Sequence, residues 1–133
     1  MVTNALTHGL RVCAELFADK SDTVVAPDLY WDNYALIFAD ACGAKMQTFN
    51  TFRNGCFDAA AMKKALLGPG DKKLLILNFP NNPTGYTATL EDAKKIVSAV
   101  KAAAKEKRIV VILDDAYFGL VYEKGVHEDS LFA

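Results

Sequence analysis

The sequence predicts an α/β fold in which a mostly parallel sheet is flanked by helices, and three observations carry that prediction. A helical pattern, a short apolar run and a cluster of turn residues follow one another four times along the chain. Two of the runs, LLILNF at 74–79 and IVVIL at 109–113, are continuous rather than alternating, as strands covered on both faces are, so both are expected to be central. Between them lies a helical stripe of crossover length, which makes the two strands parallel and ends them on one edge of the sheet through a right-handed connection.

Taken in order, residues 5–19 place Leu6, Leu10, Cys13, Ala14 and Phe17 at spacings of three and four, the mark of an amphipathic helix. A strand follows at 22–26. Trp31 to Cys42 again reads as helix, with Tyr34, Ile37, Phe38 and Ala41 on one side, and 44–49 reads as the next strand. Asp58 can cap a helix over AAAMKKALL, which Gly68-Pro69-Gly70 stops. Thr89 with Asp92 resembles a capping box, and Leu90, Ala93, Ile96, Val97 and Val100 form a stripe ending near Lys107.

The 133 residues and a hydrophobic fraction of 52% suit one unit, or part of one, with a buried core. A net charge of −1, with no Lys/Arg run longer than two, argues against nucleic acid and anionic membranes as partners. Cys13, Cys42 and Cys56 form an odd set without C-x-x-C spacing, which suggests packing in a reducing compartment and no metal site. The N-terminus has no leader pattern, and no segment reaches the ~18 apolar residues of a membrane span, so a cytoplasmic, soluble protein is expected. Neither G-x-G-x-x-G nor G-x-x-x-x-G-K-[ST] is present to support nucleotide binding.

Ligands of open parallel sheets bind beyond the carboxyl ends of the strands, so the loops after residues 26, 79 and 113 matter most. In DDAY, Asp114 follows five apolar residues and should sit at the mouth of a buried strand. Asp114 or Asp115 could cap the turn or pair with a structural Lys or Arg. Alternatively, Asp114 faces a protonated ring nitrogen, a contact worth roughly 4 kcal/mol before desolvation at an effective dielectric near 20. Tyr117 lies one helical turn on and could aim its hydroxyl at the same ligand. Asn81-Asn82-Pro83-Thr84-Gly85 is either a turn whose amides satisfy local backbone or, with a cis Asn-Pro bond, a device that fixes Asn82 as a donor to a ligand oxygen. Tyr30 and Trp31 are either core residues or a shelf for a flat aromatic ligand.

Together these loops resemble the class I and II aminotransferases, the pyridoxal-phosphate (PLP) enzymes of fold type I. The stretches PDLYWDNYALIFADACGAKMQTFN, GCFDAAAMKKAL, LLILNFPNNPTGY and VVILDDAYFGLVY follow that family's order across nearly the whole chain. N-P-T-G followed after one helix and one strand by D-x-A-Y is the specific part. The resemblance implies a piece of a three-layer α/β/α large domain over 1–133. It also implies that the family's N-terminal segment, Schiff-base lysine region and C-terminal small domain lie outside this stretch. Asp114 matches the aspartate that pairs with the pyridine nitrogen, while Tyr117 and Asn82 match the donors to the ring's phenolic oxygen. Trp31 matches the aromatic stacked on the ring, with Tyr30 as the fallback. V-T-N-A-L is similar to the loop that cradles the cofactor phosphate, implying Thr3 and Asn4 as contacts, although Val2 stands where the family usually has glycine. No lysine here occupies the catalytic context, and Lys124 reads as solvated.

The implied activity is amino-group transfer between an amino acid and a 2-oxo acid, of the aspartate or aromatic type, by a homodimer. Two alternatives remain open: a fold type I lyase or synthase, which D-D-A-Y fits less well, and a PLP-sensing aminotransferase-like domain of a transcription regulator.

Overall fold

Val24 and Val25 are both fully buried, yet they belong to different clusters, and this division across one sheet gives the molecule its three layers. The computed structural model describes residues 2–132. Strands β1 (Thr23–Pro27), β2 (Lys45–Phe49), β5 (Lys72–Asn78) and β6 (Arg108–Asp114) form a parallel sheet in the order β2-β1-β5-β6. Leu10 and Ala14 of helix α1 (Leu6–Phe17) cover one face together with Ile37 and Phe38, against Val24, Leu74, Ile76 and Ile112. Met62 and Leu66 of α2 (Ala59–Leu66) and Ile96 and Ala99 of α3 (Leu90–Ala103) cover the other, against Val25, Leu75 and Leu77. Full burial of a Leu, Ile or Met side chain is worth about 1.5–3 kcal/mol, so these two interfaces dominate stability.

The caps lie where the sequence puts them. Asp58 accepts from the Ala61 N–H at 2.8 Å, and Thr89 accepts from the Asp92 N–H at 3.0 Å while donating to the Asp92 carboxylate at 2.8 Å. That carboxylate, almost wholly buried, also accepts from the Tyr86 hydroxyl.

Several expectations need correction. α3 ends at Ala103, ahead of Lys107, because the chain tightens into turns at Ala104–Glu106 before entering β6. Leu6, Phe17, Leu90 and Val97 are exposed, so the buried stripes of α1 and α3 are narrower than the apolar pattern. Cys56 is also exposed rather than packed, whereas Cys13 and Cys42 are half-buried. It lies in a hairpin the periodicity did not announce, β3 (Phe52–Arg53) with β4 (Cys56–Phe57), which turns through Asn54 and Gly55, both at positive φ. β5 is central as expected, but β6 borders the sheet among the described strands, and Arg108 and Val111 are exposed there.

The most consequential difference concerns 31–42. The segment is not a regular α-helix but a π-helix over Ala35–Asp40, in which the Ala41 N–H bonds the Leu36 carbonyl at 3.2 Å. The wider turn keeps Tyr34, Ile37 and Phe38 in the core and leaves Ala41 at the surface.

At the opposite edge of the sheet, Lys73 has no exposed surface, and its Nζ donates to the Pro69 carbonyl at 2.6 Å. Burial, and secondarily the charge of Lys107, push its pKa below the ordinary lysine value.

Candidate functional site

Because β1, β5 and β6 are parallel, Pro27, Asn78 and Asp114 end on one edge, and the loops after them share it. α1 enters β1 through residues 18–22, a connection short enough that helix and strand run in opposite senses. Its N-terminus, with Thr3 and Asn4 before it, therefore belongs to the same edge.

Alternation along β6 puts Asp114 on the face of Ile112, towards the π-helix layer, and the residue is 3% exposed. Its Oδ2 accepts from the Tyr34 hydroxyl, and its Oδ1 accepts from the Ala116 N–H at 3.1 Å. The turn-capping role is thus real, yet it occupies one oxygen only. Among the described residues no Lys or Arg forms a salt bridge with Asp114. Each carboxylate oxygen can accept a second hydrogen bond, so capacity for a cationic N–H remains.

Tyr34 is the residue that pattern reading missed, since it counted only as part of an apolar face. The side chain is 2% exposed, and its pKa is raised above the usual tyrosine value by burial, then by the Asp114 hydrogen bond and charge. Its hydroxyl is therefore a fixed donor. Trp31 meets the Tyr34 ring edge-on, with centroids 5.6 Å apart, and Tyr30 lies parallel to it at 6.2 Å. Both are half-buried against the α1-side core while keeping part of their surface open, so the core and shelf readings of these two rings are compatible. The loop that carries them is braced from both sides. Thr51 donates to Asp28 Oδ1 through its N–H at 2.8 Å and its hydroxyl at 2.5 Å, and its hydroxyl oxygen accepts from the Leu29 N–H at 3.2 Å. Asn81 Nδ2 reaches the Leu29 carbonyl at 3.3 Å. Burial is the largest single influence and would raise the Asp28 pKa, but the hydrogen bonds from Thr51 and from the backbone N–H groups of Leu29 and Asp28 together hold the carboxyl below its ordinary value.

In the second loop the two asparagines divide the work. Asn81 is buried, and its Oδ1 accepts from Thr84 Oγ1 at 2.6 Å and the Thr84 N–H at 3.2 Å, which is the local-turn role. Asn82 leaves its amide for other use: Nδ2 lies 3.4 Å from the Tyr117 hydroxyl. The Asn82–Pro83 bond is cis, as is Phe79–Pro80, and Gly85 at φ +71° closes the turn with its N–H on the Asn81 carbonyl at 2.7 Å. Tyr117 is 39% exposed on the last loop.

At the start of α1, Thr3 Oγ1 donates to the Ala5 carbonyl at 3.0 Å, and the Asn4 N–H donates to His8 Nδ1 at 3.2 Å. The Ala5 N-cap supplies no side-chain acceptor, and the first turn holds no acidic residue, so the positive end of the helix is electrostatically open to an anion. Lys124 is exposed, in keeping with its solvated reading. Among the described residues there is no group of three or more His, Cys, Asp or Glu able to hold a metal, and no helix long and apolar enough to cross a membrane.

Tyr34 thus links Trp31, Tyr30 and Asp114, while Asn82 and Tyr117 form a second pair of polar groups on the same edge. The set combines a buried carboxylate, an amide, phenol hydroxyls and aromatic faces.

Comparison with known proteins adds an independent line. The family model described as aminotransferase class I and II matches residues 1–131. An aspartate aminotransferase of Musicola paradisiaca is 26% identical over 96% of the chain and 30% of its own length. One from Bacillus sp. strain YM-2 is 30% identical over 90% of the chain and 29% of its own length. The solved N-succinyldiaminopimelate aminotransferase of Mycobacterium tuberculosis superposes with a TM-score of 0.80 at 25% identity, covering 94% of this chain and 32% of that one. The chain spans about 30% of the length of the curated relatives it matches.

Proposed function

The chain belongs to the aminotransferase class I and II family and has its α/β/α fold, and on that premise we propose that it carries the ring-binding part of a PLP site. The enzyme would transfer an amino group between an amino acid and a 2-oxo acid. Relatives named for aspartate favour an aspartate-type substrate range. The whole enzyme would be a cytoplasmic homodimer, with the Schiff-base lysine and small domain supplied by segments other than 1–133.

The observation that carries this reading is the burial of Asp114 at the carboxyl end of β6 with hydrogen-bond partners but, among the described residues, no cationic one. A carboxylate withdrawn from water is expensive unless compensated, and a protonated ring nitrogen is a fitting complement. The donor set suits such a ring. Asp114 would hold the proton on the ring nitrogen, Asn82 and Tyr117 would donate to the phenolic oxygen, and Trp31, or Tyr30 beside it, would cover a ring face. Thr3 and Asn4, at the open start of α1, would meet the phosphate.

When bound, PLP supplies the electron sink that stabilises charge developing at the substrate α-carbon. The residues of this chain contribute electrostatics and orientation. Asp114 keeps a negative charge fixed at one end of the ring, and Tyr34 prevents that carboxylate from turning away. The hydroxyl of Tyr117 and the amide of Asn82 set the proton affinity at the other end.

The test is reconstitution of the enzyme containing this segment with PLP, followed by visible absorbance and a transamination assay with aspartate and 2-oxoglutarate. A new visible band and turnover are expected, both lost in Asp114→Ala. Wild-type turnover in that variant would defeat the assignment.

A further inference from the structure

Asn78 is the last residue of β5 and pairs in register with Asp114, the last residue of β6. It follows Leu74 and Ile76 in alternation, so its side chain shares their face, the one that carries Asp114, and only 5% of the residue is exposed. That side chain does two things at once. Nδ2 donates to the Asp114 carbonyl at 2.6 Å, and Oδ1 accepts from the Asn82 N–H at 2.8 Å. One planar amide therefore joins the backbone of the buried acid to the backbone of the asparagine that faces Tyr117. Beyond this point β5 leaves the sheet and the ladder can no longer hold the two loops in register.

We propose that Asn78 is a positioning residue that sets the distance between the acid and the donor pair at the two ends of the cofactor ring. This rests on the PLP reading above. An amide is suited to the task because it offers a donor and an acceptor on a rigid plane with few rotamers. A carboxylate, which only accepts, or a methyl group, which does neither, would leave at least one of the two loops untied at this position. The backbone groups so tied are those of Asp114 and Asn82, so a loosening would spread Asp114 and Asn82 without altering either side chain.

The experiment uses the holoenzyme containing this segment and two variants, Asn78→Ala and the near-isosteric Asn78→Asp, which can still accept from Asn82 but cannot donate to the Asp114 carbonyl. Three quantities are measured: PLP affinity by titration of the apoenzyme, the pH midpoint of the bound cofactor's visible band, and the melting temperature of the apoenzyme. Loss of a buried hydrogen bond predicts PLP affinity lower by about tenfold in both variants, with a displaced midpoint. Wild-type affinity and midpoint with only a lower melting temperature would make Asn78 a structural residue and overturn the proposal. So would failure of both variants to fold. If the wild-type protein itself gives no band with PLP, the cofactor reading fails first, and this proposal falls with it.

Discussion

The hydroxyl of Tyr34 donates to Oδ2 of Asp114 across 80 residues of sequence, joining the start of the π-helix to the end of β6. Both groups are almost fully buried, so each is the other's main substitute for water. A buried pair of this kind penalises loss of either member.

Tyr34→Phe should therefore destabilise the protein by about 1–3 kcal/mol, the usual penalty for leaving a buried polar group one partner short. On the proposed function, amino transfer by the enzyme containing this segment should fall as well, because the carboxylate gains freedom to turn. Denaturant unfolding and steady-state rates measure the two effects. The pH dependence has a defined sign. Folding raises the Tyr34 pKa above its ordinary ~10, so the bond's contribution is complete below that pH and declines as pH rises beyond it. Tyr34→Phe should flatten part of the alkaline decline, and only part, since burial and its bond to Asp92 raise Tyr86 in the same direction.

Asp114→Asn keeps the shape and removes the charge; its single Oδ1 can still accept from the Ala116 N–H, while Nδ2 now faces the Tyr34 oxygen, which can accept from it. The fold should survive while activity drops by about 10²-fold or more, a loss typical of a preorganised electrostatic group. Circular dichroism and transamination kinetics on one preparation would distinguish this from a folding defect.

Lys73→Met addresses the opposite edge of the sheet. Folding lowers the Lys73 pKa, so the folded state holds this proton less tightly than the unfolded chain does. Its stabilising balance is best above the ordinary lysine pKa of ~10.4 and is lost as pH falls through the lowered value. Met, of similar length and without charge, should remove that rise in stability between neutral and alkaline pH. A pH series of unfolding free energies that keeps the same slope in the variant would refute the account.

Thr89→Ala removes the acceptor for the Asp92 N–H and a donor to the Asp92 carboxylate. A loss of about 1 kcal/mol is expected, the common cost of an N-cap, with a melting temperature lower by a few degrees. Thr89→Ser should restore most of it.

Local rules made much of this molecule readable. Continuous apolar runs gave β5 and β6, capping residues gave the starts of α2 and α3, and the placement of Asp114 and Asn82 followed from where the strands end. What escaped was set by partners distant in sequence. Tyr34 reads as one more apolar-face residue until Asp114 is seen beside it, and Asn78 reads as one more residue of LLILNF until it is seen between Asp114 and Asn82. The Phe52–Phe57 hairpin is too short for a period-2 pattern to show. The π turn leaves no periodic trace because a single wide turn differs from α spacing by about one residue.

That wide turn makes the 35–40 segment sensitive to length more than to composition. Each residue of an ordinary helix advances the chain by about 100°, so deleting one position here would swing the tyrosine at its entrance around the axis relative to the core side chains that follow. Homologous chains should then accept exchanges at the exposed Leu36 and Asp40 but resist a one-residue gap. A single-codon deletion in 35–41 would disconnect the phenol from the acid while touching neither.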